Sequence, residues 1–199
     1  MYRNHRWLSL IAGLYFTLLS SALSAASITH FPTTVQLVGK DDPISTSKIL
    51  HKRPIFLLVC SHATADLIKA VPAAWLNQGL KIPADQFISV AAVSKAPWLV
   101  KKLFIGSGLS SLVEERTELV GNRIPGIKDS PVIVDLDGDM VSALQLNDLG
   151  KKEYAIFLIN QAGEVQPLLR AELLDDSDTG IDLVAKKITQ AVKPHFGGK

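Results

Sequence analysis

The chain of 199 residues has one cysteine, Cys60. A lone thiol excludes an internal disulfide framework and any multi-cysteine zinc or iron–sulfur cage. With no C-x-x-C pair, a disulfide-exchange cycle within the chain is excluded as well. An excess of either charge is also missing. Lys and Arg number 21 against 19 Asp and Glu, a formal net charge of +2, which gives no electrostatic footprint for nucleic acid. The G-x-S-x-G elbow of a serine hydrolase is absent. Only 13 glycines and 10 prolines accompany a hydrophobic fraction of 47% and a charged fraction of 20%. That composition excludes a disordered or collagen-like chain and fits an ordinary folded domain.

What is present begins with an address. Met1 to Arg6 holds Arg3, His5 and Arg6 and no acid; an apolar stretch follows from Trp7, and the small residues Ser20 to Ala26 close it. Basic head, apolar middle and small-residue exit are the three parts of a secretory signal peptide, and Ser24 and Ala26 place cleavage after Ala26. The alternative is a retained anchor helix. Trp7–Leu23 is short for a span, which takes ~20 residues. Removing residues 1–26 takes away Arg3 and Arg6 and leaves residues 27–199 formally neutral. The expectation is an exported, periplasmic domain over 27–199, with no nucleic-acid partner and no stable membrane insertion after cleavage.

Periodicity then predicts alternating strands and helices. Thr33–Val38 reads as a short strand. Pro54–Cys60 and Phe87–Val93 are apolar throughout, as strands covered on both faces are. Between them a helix is expected over Ala65–Asn77, with Thr64 as N-cap and Pro72 kinking or splitting it. Ser94 with Pro97 opens a helix from Trp98 to Phe104; Gly106-Ser-Gly108 is read as a break before the helix resumes over Leu109–Leu119. Pro131–Asp135 is a further buried strand, turned by Asp137-Gly138. Tyr154–Asn160 and Glu164–Arg170 form a hairpin across Ala162-Gly163. Thr179 is expected to cap a last helix, Ile181–Val192, with Ile181, Val184, Ala185, Ile188 and Val192 on one stripe. The order implies an α/β fold: a thioredoxin-like three-layer sandwich, with a mixed central sheet and helices on both faces.

From Gly106 onward the chain resembles the YtfJ-like family of periplasmic proteins, related to the peroxiredoxin and thiol-reductase branch of the thioredoxin fold. Gly106-Ser-Gly108, Pro131-Val-Ile-Val-Asp135-Leu-Asp-Gly138, Ala143-Leu-Gln-Leu146 and Ala155–Val165 carry the resemblance, by their order and spacing. It implies a single exported thioredoxin-like domain and names no reaction.

Thiol enzymes of this fold set the nucleophilic sulfur at the start of the helix after the first central strand, where the helix N-terminus favours thiolate. That place falls near Thr64 to Leu67, which hold no cysteine; Cys60 lies about four residues early. The proline that such enzymes carry before the hairpin strand is missing from Glu153-Tyr154-Ala155. The peroxiredoxin pattern P-x-x-x-T-x-x-C fails too, since Thr64 follows Cys60. Cys60 reads as a small buried hydrophobe. The sharper alternative makes Cys60 and His62 redox candidates, with an imidazolium promoting thiolate at the carboxyl end of a strand. Cys60, His62 and Asp66 fall short of a zinc ligand set, and His30, His51 and His195 show no ligand spacing. In Asp135-Leu-Asp137-Gly138-Asp139 the glycine stands fourth and Leu146 twelfth, so an EF-hand is excluded. Gly106-Ser-Gly108 is no dinucleotide loop. The expectation is therefore no catalytic residue, metal or cofactor, and a binding or accessory role for an undetermined protein or small-molecule partner. The rival is a one-cysteine thiol peroxidase or mixed-disulfide partner using Cys60.

Overall fold

In the computed structural model, which describes residues 31–81 and 83–196, the chain is built outward from one strand. β3 (Ile55–Ser61) is buried along its whole length. Side chains alternate across a strand, so Phe56, Leu58 and Cys60 enter one core while Ile55, Leu57 and Val59 enter another. Each large apolar side chain so covered contributes ~1.5–3 kcal/mol relative to exposure. That two-sided burial is why the segment reads as an unbroken apolar run rather than an alternating one.

Around β3 the seven-stranded sheet runs β2-β1-β5-β4-β3-β6-β7. The other strands are β1 (Thr34–Leu37), β2 (Ile44–Ser45), β4 (Phe87–Ala92), β5 (Val132–Asp135), β6 (Glu153–Ile159) and β7 (Val165–Glu172). β3, β4 and β5 are parallel; β6 is antiparallel to β3, β7 to β6, and β1 to β5. On one face lie α2 (Leu67–Asn77), α4 (Leu109–Val120) and α6 (Asp178–Val192), which supply Trp75, Leu112 and Ile188 to the first core. On the other lie α1 (Thr46–Ile49) and α5 (Asp139–Ala143), with Ile49, Met140 and Val141 in the second. A parallel strand–helix–strand unit, an antiparallel hairpin and a closing helix across a mixed sheet make the fold thioredoxin-like.

Several sequence expectations are corrected locally. Pro72 lies inside α2 and does not split it. Its ring is buried with Ile68, Val71 and Trp75, and that packing offsets the hydrogen bond its missing N–H forfeits. Thr64 is not the N-cap of α2. It ends a single 3-10 turn, His62–Thr64, and its hydroxyl is committed to Ser61 and to the Glu153 carbonyl. Gly106-Ser-Gly108 is no break: α3 (Trp98–Leu103) runs through a π-helical turn, Phe104–Gly108, into α4. A Cβ on Gly108 would sit 3.3 Å from the Phe104 ring, so the glycine there gives the aromatic room and does not turn the chain. Ser177, not Thr179, caps α6, its hydroxyl accepting from the Gly180 amide at 3.3 Å. β2, α1 and α5 span two to five residues, too few to show a period. The expected signal segment, residues 1–26, lies outside the described residues.

Candidate functional site

Open α/β sheets bind ligands beyond the carboxyl ends of their parallel strands, where the loops diverge. A cleft of about 350 Å³ lies at that place, formed where β3 ends at Ser61 and β4 at Ala92. Its walls come from His62, the loop Ser94–Pro97, Val141 of α5, and Leu149, Gly150 and Lys151 ahead of β6. A larger open groove of about 1090 Å³ lies among the loops at the opposite, amino ends of the strands, where Lys52 already pairs with Asp85. The smaller cleft is the candidate site, because the strand carboxyl ends converge on it.

The strand period decides which residues reach the cleft. Cys60 faces the core beneath α2, α4 and α6, so its neighbour Ser61 takes the cleft side. Cys60 is 0% exposed and does not line the cleft. Burial pushes its thiol far up from the ordinary value; the Thr64 hydroxyl opposes that only in part, and the Asp66 charge adds to it. His62 leaves the extended path of β3 on the 3-10 turn and lines the cleft. Burial and then the Lys151 charge hold its imidazole below the usual histidine range, which favours the neutral form. Of the two redox candidates, Cys60 thus faces the core under α2 while His62 lines the cleft.

The start of α2, where the sequence pattern would set a nucleophile, is closed. Thr64, Ala65 and Leu67 are buried, and the Asp66 carboxylate is bound by Lys69 at 2.9 Å. Lys69 also reaches Glu115 at 2.5 Å, which ties the start of α2 to α4. Among the described residues no three His, Cys, Asp or Glu side chains are placed to hold a metal ion. The Asp135 carboxylate is directed inward instead. It accepts from the amides of Gly138, Met140 and Val141 at 3.1, 3.2 and 3.0 Å, which caps α5. Burial raises its carboxyl above the ordinary value, against these hydrogen bonds.

The cleft walls are pinned by polar contacts. The Lys95 ammonium donates to the carbonyls of Asn147 and Leu149. The Ser61 hydroxyl donates to the Lys151 carbonyl. Glu153 accepts from the Gly150 amide at 2.7 Å and from Arg170 at 2.7 Å, and Arg170 also holds Asp148 at 3.0 Å. Sequence reasoning missed Ser61, Ser94, Lys95 and Lys151. The available signal was positional: each lies at or just after the carboxyl end of a central strand, or just before the strand paired with it. The arrangement offers an apolar floor, hydroxyl groups and two lysines, and no thiol.

No protein-family model and no curated protein sequence matches the chain. Several solved structures are similar at low identity, three of which follow. An uncharacterized thioredoxin-like protein from Porphyromonas gingivalis is 16% identical over 85% of this chain and 95% of that one, with a TM-score of 0.39. Xanthomonas campestris peroxiredoxin Q is 14% identical, covering 87% and 96%, with a TM-score of 0.41. Arabidopsis thaliana ScoI with copper bound is 11% identical, covering 80% and 97%, with a TM-score of 0.36. No residue role or ligand is carried from them to this chain.

Proposed function

We propose that the protein is an exported binding or accessory protein on a thioredoxin-like scaffold that has no working thiol, and that its ligand or partner enters the cleft at the carboxyl ends of β3 and β4. One observation carries the reading: Cys60 is fully buried on the side of the sheet away from that cleft. A thiol must be exposed as thiolate to attack peroxide or a disulfide, and desolvation of Cys60 opposes both. The resemblance of Gly106–Gly108, Pro131–Gly138 and Ala155–Val165 to YtfJ-like proteins, and the basic, apolar and small-residue order of residues 1–26, support placement in the periplasm after cleavage behind Ala26.

The test is thiol labelling. A disulfide reagent should modify Cys60 in the native protein at least about 100-fold more slowly than in denaturant, because only opening of the fold exposes it. Dilute peroxide should form no sulfenic acid, and the protein should not reduce insulin disulfides at an enzymatic rate. Rapid native labelling with sulfenate formation would instead establish the one-cysteine peroxidase assisted by His62.

A further inference from the structure

α3 is held to the molecule by one face only. Val100 and, in the π turn, Phe104 pack against the core, while Trp98 is 72%, Leu99 57% and Leu103 63% exposed. Trp98 with Lys102, and Leu99 with Leu103, stand four residues apart, so they form one stripe on the outer face. Ile105 extends it into the π turn. A single exposed leucine is ordinary, but a tryptophan contiguous with two leucines is a patch that marks an interaction.

The charge carried by α3 itself has one sign, Lys101 and Lys102 with no acid, while beyond it Lys95 has the Asp148 carboxylate as a neighbour. From Gln86 to Val113 the chain has no Asp or Glu and three lysines, Lys95, Lys101 and Lys102. Lys151 joins Lys95 and Pro97 around the neighbouring cleft. The Lys102 ammonium lies 5.6 Å from the Trp98 ring centroid, at the level where the apolar stripe meets water. Residues 27–199 are formally neutral, so attraction to an anionic surface has to come from local groups of lysines such as this one and not from net charge. The patch stands on a projecting helix rather than in a groove, so it suits a flat surface better than a bound peptide. Among the described residues no helix is long and apolar enough to cross a membrane.

We propose that α3 and the π turn form a reversible docking surface for an anionic phospholipid bilayer. Trp98, Leu99, Leu103 and Ile105 enter the interfacial region, and Lys101, Lys102 and Lys151 face the headgroups. Tryptophan is the side chain best suited to that boundary, and lysine stems extend their charges to the headgroup level. Interfacial helices join such an apolar face to a basic one.

The chain from Ser27 onward, the form expected after cleavage, contains all the described core residues and is the protein to use. Its two tryptophans are Trp75, fully buried, and Trp98, so a shift in emission on adding vesicles reports Trp98. Co-sedimentation and that blue shift are expected with phosphatidylcholine vesicles containing phosphatidylglycerol. Binding should be weaker by about tenfold or more on pure phosphatidylcholine, and again at high salt. The same loss is expected for Lys101→Glu with Lys102→Glu, and complete loss for Trp98→Ser with Leu103→Ser. Trp98, Lys102 and Leu103 are exposed and Lys101 is half-buried, so an unchanged cooperative melt is required of each variant to confirm that it is folded. Absent binding, equal binding to both vesicle types, or variants that bind as well as the parent would overturn the proposal. So would self-association in sedimentation that Trp98→Ser abolishes.

Discussion

A single buried side chain in this protein is decided by which side of a strand it takes. Cys60 and Ser61 are adjacent, yet one enters the core under α2 and the other lines the cleft. Asp135 shows the same principle for a charge. Its carboxylate is almost wholly buried, and three backbone amides compensate for the water it loses. Asp135→Ala would orphan those amides and is expected to destabilise the protein by ~2–3 kcal/mol in a urea titration. Asp135→Asn keeps one acceptor oxygen and should cost about half as much. Equal effects of the two variants would show that the carboxylate acts only by filling space.

Elements meet at the cleft through short polar connections that hold the loop ahead of β6. Glu153 joins the Gly150 amide to Arg170 of β7, so the wall bearing Lys151 is tied to the hairpin. Arg170 first, then the Gly150 amide, lowers the Glu153 carboxyl below its ordinary 4.5. A depressed folded value means that ionised Glu153 favours the native state above 4.5, and that this contribution is lost as the pH falls through and below it. The parent should therefore melt higher than Glu153→Gln at pH 7, with the gap closing toward pH 3. A gap independent of pH would assign the effect to packing instead. Element starts follow a similarly local logic. At α6, Ser177 with extended backbone is the cap because its hydroxyl reaches the Gly180 amide, whereas Thr179 already lies within the helix.

For the whole molecule, two cores share one sheet, and the chain end closes the larger of them. Phe196 stacks on Phe56 with ring centroids 4.4 Å apart, and Trp75 sets its edge against Phe56 and Phe87. Phe196 is only half-buried, so Phe196→Ala should cost ~1–3 kcal/mol, below the usual range for a fully buried ring. Thermal unfolding would measure it, and Trp75 emission should report the loosened cluster. No change in either would mean that the last turn is not part of the cooperative unit.

Sequence by itself determined the order of the long elements and the layer architecture. The reason is that β3, β4 and β5 must be apolar on both faces to lie inside a sheet covered twice, and α6 must carry a stripe to cover it. It also determined that these 199 residues hold one cysteine and no C-x-x-C pair. Short pieces such as β2, α1 and α5 carry too few residues to announce themselves, and α2 is not split at Pro72 nor the helix broken at Gly106–Gly108, because packing against neighbouring helices overrides a local preference. Only the tertiary structure decided which residues surround the cleft. Ser61, Ser94, Lys95 and Lys151 come from three separate stretches of chain, and nothing local records that the ends of β3 and β4 and the loop ahead of β6 share one corner. The same holds for α3: its lysines and apolar residues are plain in the sequence, but their exposure depends on Val100 and Phe104 taking the inner face.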